Sequence, residues 1–182
     1  MIKDKINKIN NNDNKNNNNI NNKNNIIITK ATINDINELC NLLNDLFSIE
    51  KDFTPNYEKQ KKGLLEIINS NNSIIFVAKK NFDNKNNNNN NKIIGMVSLQ
   101  ILISTAEGGK VGLLEDLIIN KNCRNKGIGT KLIKTVEEYC IKNNLLRLSL
   151  LSDKNNKNAL LFYKSKNYNT TNLICLRKKF GE

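Results

Sequence analysis

The chain has no histidine and no tryptophan, a single proline, and four cysteines that stand far apart at 40, 123, 140 and 175. Without histidine, a serine or cysteine nucleophile has no imidazole base, and the commonest ligand of zinc and non-haem iron is missing. The cysteines form no CxxC pair, so they read as buried, reduced thiols of a cytosolic protein. Aromatic residues are only 5% of the chain, too few to interleave with basic residues as a stacking platform for single-stranded nucleic acid. No apolar run approaches the roughly 18 residues of a membrane helix, and the first residues lack the apolar core of a secretion signal. These absences lead us to expect a soluble, cytoplasmic protein, with a nuclear location left open. No metal site, nucleic acid or membrane partner is expected.

What the chain does have is asparagine and lysine. Two asparagine-dominated tracts, 1–25 and 83–92, offer too little apolar surface to offset the entropy of ordering them, and both are expected to be disordered. Residues 26–180 then form one domain of ordinary size. The net charge is +12, of which the first tract supplies only five lysines against Asp4 and Asp13. The folded part is therefore basic. That suits an anionic partner such as nucleic acid, a membrane surface or a polyphosphate cofactor, and equally suits a solvated lysine-rich surface.

Hydrophobic periodicity organises the rest. Ile26–Lys30 reads as a strand, followed by a helix capped by Thr32 with Ile36, Leu39, Leu42, Leu43, Leu46 and Phe47 at helical spacing. A second helix is predicted after Pro55, with Leu64, Leu65, Ile67 and Ile68 facing inward. Residues 74–80 and 93–105 read as the strands of a hairpin whose tip holds the second asparagine tract, and 111–119 reads as a further strand. A helix is predicted from Gly127 to about Asn143, and a nearly continuous apolar strand over 145–151. A short helix near 157–165 and a closing strand over 173–178 complete the pattern of an α/β or α+β domain.

Between strand 111–119 and the helix after it lies the stretch CRNKGIG, residues 123–129. The amino terminus of a helix presents free N–H groups and the positive end of the macrodipole. Gly127 and Gly129 let an oxygen approach without meeting a Cβ, and Arg124 and Lys126 add charge, so a diphosphate is a reasonable occupant. A P-loop is excluded because GxxxxGK followed by Ser or Thr is absent. A dinucleotide fingerprint is excluded because Leu132 stands where its third glycine belongs.

The run RNKGIG matches the R/Q-x-x-G-x-G/A signature of the GNAT superfamily of acetyl-coenzyme A dependent N-acetyltransferases. The longer stretch LLEDLIINKNCRNKGIGTKLI resembles that family's fourth strand, pyrophosphate loop and following helix. Downstream, NNKNALLFYKSKNY resembles its N-x-x-A-x-x-x-Y pattern, with Asn156, Ala159 and Tyr163 in place. Asn167 and Tyr168 replace the usual Gly-Phe. Asparagine tolerates the left-handed backbone that a glycine often adopts there. The resemblance covers about residues 26–180.

The resemblance implies a GNAT-type mixed, mostly antiparallel sheet of about seven strands flanked by helices, splayed between the fourth and fifth. It implies acetyl-coenzyme A as co-substrate, with backbone groups of Leu117, Ile118 and Ile119 pairing with the pantetheine arm. The residues Arg124, Asn125, Lys126, Gly127, Ile128, Gly129 and Thr130 would hold the diphosphate, and Asn156 and Ala159 would lie beside the arm. The implied reaction is acetyl transfer to a primary amine by direct attack in a ternary complex, in a monomer or homodimer. An alkylamine with a pKa of ~10 needs help to lose its proton. Glu115 is the carboxylate favoured as base or water relay. Asp116 points to the other face of a regular strand and reads as a substrate-amine contact, although a bulge would reverse that choice. Tyr163 matches the family's general acid. Glu50, Asp52 and Glu58 lie on the segment that shapes the acceptor side and suit a cationic amine. Acetylation of protein amino groups and a non-catalytic coenzyme A-binding domain stay open as alternatives.

Overall fold

Alternation along Ser73–Asn81 (β2) sorts its side chains to two faces, with Ile74, Phe76 and Ala78 on one and Ile75 and Val77 on the other. Asn91–Ser104 (β3) divides likewise, Ile94, Val97 and Leu99 against Ile93 and Met96. In this computed structural model, which describes residues 26–50, 52–81 and 91–180, these strands form the antiparallel hairpin expected from the sequence. They run to Asn81 and Asn91, so Asn91 and Lys92 belong to β3 rather than to the inserted loop. The expected disordered tail 1–25 and the remainder of the insertion, up to residue 90, lie outside the described residues.

The described sheet has five strands, β1 to β5 in spatial order, with β1 at Ile26–Lys30, β4 at Gly109–Ile119 and β5 at Leu148–Leu150. The first four pair antiparallel and β5 joins β4 in parallel. One face is covered by α3 (Ile128–Lys142), whose Ile128, Leu132, Ile133, Val136 and Cys140 are buried at helical spacing. The other is covered by α1 (Ile36–Phe47) and α2 (Tyr57–Asn69), through Ile36, Leu39, Cys40, Leu42, Leu43 and Leu64.

Thr32 caps as expected, but it opens a 3-10 turn, Ile33–Asp35, that runs into α1. Its N–H donates to Asp35 Oδ2 at 2.8 Å, and Lys79 Nζ lies 2.7 Å from Asp35 Oδ1. Burial alone would push the Asp35 carboxyl up. Hydrogen bonds from Lys79 and Thr32, together with the lysine charge, outweigh burial and hold it below its ordinary value.

The sequence expectation of about seven strands exceeds the five described. The strand expected at 145–151 shrinks to three half-buried residues: Leu145 is still leaving the α3 turn, its N–H donating to Cys140 O at 2.9 Å, and contact with β4 begins only with Leu146 N–H to Lys110 O at 2.8 Å. The closing strand expected at 173–178 does not form: these residues carry no regular secondary structure and no strand partner among the described residues. Pairing of β4 with β5 covers only Gly112–Leu114 against Leu148–Leu150. Beyond Leu114 the two strands part, which is the splay expected between the fourth and fifth. A short helix, α4 (Lys157–Lys164), follows β5.

Candidate active site

The cleft left by that parting is bounded by Glu115–Ile119 of β4, the amino terminus of α3 and the inward face of α4. Ile118 and Ile119 pair with Met96 and Gly95 of β3 on one side. On the other side no strand covers them among the described residues, and the stretch is open to an added extended chain except at the Ile119 carbonyl, which accepts from Arg124 Nε. A Cβ on Gly95 would lie 2.6 Å from Ile119 Cδ1 and 3.1 Å from Ile118 O. The glycine therefore lets β3 and the end of β4 close together here.

After β4 the chain makes a 3-10 turn, Lys121–Cys123, and then a loop that delivers α3. Two residues of the loop adopt the left-handed conformation, Asn125 at φ 60° and Gly127 at φ 74°. Gly127 is the N-cap of α3 and supplies no side-chain acceptor, so the first-turn N–H groups that follow it are not capped by this residue. Arg124 Nε donates to Ile119 O at 3.0 Å, and Lys126 Nζ to Asn122 O at 2.9 Å. These contacts hold the two cationic side chains against the loop. Ile128 is buried in the core and anchors the turn, while Gly129 lies where a Cβ would be 3.3 Å from Phe162 Cζ of α4. The structure thus brings residues 124–130 together around one helix terminus, beside the free edge of Leu117–Ile119.

The orientation expected for a regular strand does not hold at Asp116. Met96 pairs with Ile118 and Ser98 with Glu115, so Asp116 and Leu117 together oppose Val97 in a bulge. Asp116 has φ 49°, unusual for a residue other than glycine. The extra residue turns Asp116 to the face of Ser98, whose fully buried hydroxyl donates to Asp116 Oδ2 at 3.1 Å. That face is the one covered by α1 and α2. Burial pushes the Asp116 carboxyl up to about 6; the Ser98 hydrogen bond opposes the shift and the neighbouring Glu115 charge adds to it. Glu115 itself is exposed.

Glu50, just past α1, is raised by burial and by the like charges of Asp116, Asp153 and Asp52, with Arg177 opposing. Asp52 lies 3.9 Å from Arg177, whose guanidinium carbon is 4.8 Å from the Phe53 ring centre. Of the acids expected on the acceptor side, Glu50 and Asp52 therefore belong to this group. Glu58 lies instead on α2, its charge felt by Cys40. Ser98 and Asp153 were not singled out from the sequence. Ser98 had a signal, a lone hydroxyl in the apolar run IIGMVSLQILI, whereas Asp153 had none.

Tyr163 of α4 is half-buried between Phe162 and Tyr168, with ring centres 5.4 Å and 5.8 Å away. Burial, then the charge of Glu50, pushes its hydroxyl up to about 12, so it carries its proton at neutral pH. Asn156 accepts from the Ala159 N–H at 3.1 Å and caps α4. Its side-chain oxygen is thereby engaged, and Ala159 is half-buried on the first turn of the helix. Among the described residues no cluster of three metal-ligating side chains occurs, and no helix is long and apolar enough to cross a membrane.

Residues 36–168 match the model of the acetyltransferase (GNAT) family. The chain belongs to the GNAT acetyltransferase family. Among curated relatives, the uncharacterized N-acetyltransferase YhfO of Bacillus subtilis is 24% identical over 101 residues, 56% of this chain and 62% of its own. The uncharacterized protein YxbD of the same organism is 33% identical over 60 residues, 33% of this chain and 38% of its own. The matched part thus spans less than two thirds of either relative. Among solved structures, a possible acetyltransferase of Clostridium difficile 630 superposes with a TM-score of 0.72 at 18% identity, covering 86% of this chain and 99% of its own. The aminoglycoside N-acetyltransferase AAC(6')-Iy, solved in complex with CoA, gives 0.71 at 13% identity, covering 88% and 98%. At these identities the likeness establishes the fold. The GNAT signature read from RNKGIG falls on the uncapped terminus of α3, and the family pattern at 156–163 falls on α4.

Proposed function

We propose that the protein is an acyltransferase that moves the acetyl group of acetyl-coenzyme A to a primary amine of a small molecule. The observation that carries this reading is the glycine-opened terminus of α3 lying beside the unpaired edge of β4. The residues present fit the co-substrate: backbone N–H groups from Gly127 to Thr130 would hold its diphosphate, Arg124 and Lys126 would add charge, and Leu117–Ile119 would offer extended-chain hydrogen bonds to the pantetheine amides. Acetyl-coenzyme A supplies the acetyl group as an activated thioester.

The chain's own groups then handle two protons. The acceptor amine must be neutral to form its bond to the carbonyl carbon as the carbon–sulfur bond breaks, so a carboxylate has to take a proton. Asp116 has the environment of that base, buried against Ser98 and raised to about 6. It remains ionised at neutral pH and is more basic than an ordinary aspartate. Glu115, exposed beside it, serves as the relay to solvent. Tyr163, protonated up to about pH 12, gives its proton to the departing sulfur. Glu50 and Asp116 make the acceptor side negative, which favours a cationic amine.

Thiol release from acetyl-coenzyme A, measured across a panel of small amines, amino acids, aminoglycosides and peptides, tests the proposal. Turnover with small amines that falls in Asp116→Asn and Tyr163→Phe supports it. Turnover with peptides alone would shift the acceptor to protein amino groups. Thermal stabilisation by coenzyme A with no turnover on any amine would leave a binding domain without catalysis.

A further inference from the structure

A cavity of about 240 Å³ opens at the β1 edge of the sheet, with β2 and β3 between it and β4. Its walls carry opposite electrostatic signs. One is formed by Lys30, the last residue of β1, whose ammonium lies 5.8 Å from the centre of the Tyr139 ring of α3. Among the described residues no acid lies within ion-pair distance of this lysine. Another wall is the end of α2, with Ile67 and Ile68 in its last turn and Asn71 just beyond it. That turn holds no basic residue, and its cap supplies one backbone donor, the Ser70 N–H to Ile67 O at 3.2 Å. The negative end of the helix dipole is thus left without a cation.

We propose that this cavity binds a small zwitterion, an α-amino acid with an aliphatic side chain. Its carboxylate meets Lys30, its ammonium meets the carbonyl end of α2, and its side chain lies on Ile67, Ile68 and Ile74. A simple anion would also face the negative end of α2, and a simple cation would also face Lys30. Each singly charged molecule therefore leaves one wall opposed to its own charge, and only a ligand of both signs satisfies the two.

The size and the framing fit such a ligand. At about 240 Å³ the cavity falls just below the ~300 Å³ at which sites for drug-sized molecules begin, which suits an amino acid and excludes a peptide or nucleotide. The walls are fixed by the protein itself. Ala31 N–H donates to Ile75 O at 2.9 Å and closes β1 onto β2, while Ile101 N–H donates to Asn72 O at 2.8 Å and pins the turn after α2 to β3. The Tyr139 ring is held edge-on to Phe76, their centres 5.8 Å apart. From Gly127 to Tyr139 the distance along α3 is ~18 Å at ~1.5 Å per residue. The proposal therefore stands apart from the acetyl-transfer reading, and either can fail without the other.

Calorimetry on the full chain with leucine, 4-methylpentanoate and 3-methylbutylamine tests it, since the last two each keep one of leucine's two charges. Leucine should bind, and each analogue should bind at least ~10-fold more weakly for want of one charge-assisted contact. Lys30→Gln removes the partner of the carboxylate, and Asn71→Lys sets a cation beside the ammonium. Both positions are exposed, so the fold should tolerate the changes. Each should weaken leucine by ~10-fold. Asp116→Asn, in the cleft, should leave leucine binding unchanged, which separates this site from an acceptor amine bound there. No saturable leucine binding at ~10 mM, equal binding of all three molecules, binding that survives both Lys30→Gln and Asn71→Lys, or binding lost in Asp116→Asn would each overturn the proposal.

Discussion

Replacing Asp116 by asparagine separates the energetic consequence of the bulge from its chemistry. The carboxyl rises from 3.8 to about 6 on folding, chiefly through burial. The folded state therefore holds the proton more tightly than the unfolded chain. Below the unfolded value both states are protonated and the group has no effect on stability. As pH rises through about 6, the folded chain carries a half-buried anion that the unfolded chain solvates freely, and stability is lost. A shift of about two units corresponds to ~3 kcal/mol, reduced to ~2 kcal/mol because part of the carboxylate still meets solvent. Asparagine keeps an oxygen for the Ser98 hydroxyl and accepts the positive φ, so it should remove the charge with little other disturbance. The readout is the difference in melting temperature between Asp116→Asn and the native chain from pH 4 to pH 8. It should be near zero at the acid end, climb between about pH 4 and 6, and level off with the variant roughly 4–8 °C more stable. Over the same range the acid limb of kcat/KM near pH 6 should vanish along with most of the activity. A difference that does not change with pH, or a variant less stable at pH 7.5, would refute this account of the site.

Other outcomes are expected. Gly127→Ala forces a Cβ into the left-handed region at φ 74° and should destabilise by ~1 kcal/mol while weakening coenzyme A binding, read by thermal unfolding and calorimetry. Tyr163→Phe should lower kcat by ~10–100-fold with the melting temperature within a few degrees of native. Because the native hydroxyl holds its proton to about pH 12, no loss of activity from its ionisation should occur between pH 8 and 10. Lys79→Met leaves the buried Asp35 carboxylate without its cation and should cost ~2 kcal/mol at neutral pH. That loss should shrink as pH falls and Asp35 protonates, as urea unfolding at two pH values would show.

The parts of the fold legible in the sequence were those fixed by neighbours in the chain. The α3 boundary followed from Gly127 and Asn143, and the left-handed turn after α4 from Asn167, which has φ 65°. Parts set by distant partners were not legible. The face taken by Asp116 depends on a one-residue offset against Val97 of β3, and no local pattern encodes an offset. Likewise, the apolar residues at 145–151 and 173–178 signal burial against something without naming the edge they meet. At the candidate site the loop was readable because its glycines and charges are contiguous. Ser98 and Asp153 join Asp116 and Glu50 only through the fold.

Gly112 opens the short β4–β5 pairing, two residues before the strands part at Leu114. A Cβ there would come within 2.9 Å of both Leu148 Cδ1 and Leu99 Cδ1, and within 3.3 Å of Leu145 Cδ2. The strand pair that leads into the cleft is therefore close-packed with no spare volume, in the core cluster against which Tyr163 also packs. The aperture of the cleft is set by the core rather than by the residues that line it. The walls beyond Leu114 can accordingly change in shape and charge, and so retune which acceptor fits, while the angle at which donor and acceptor meet stays fixed.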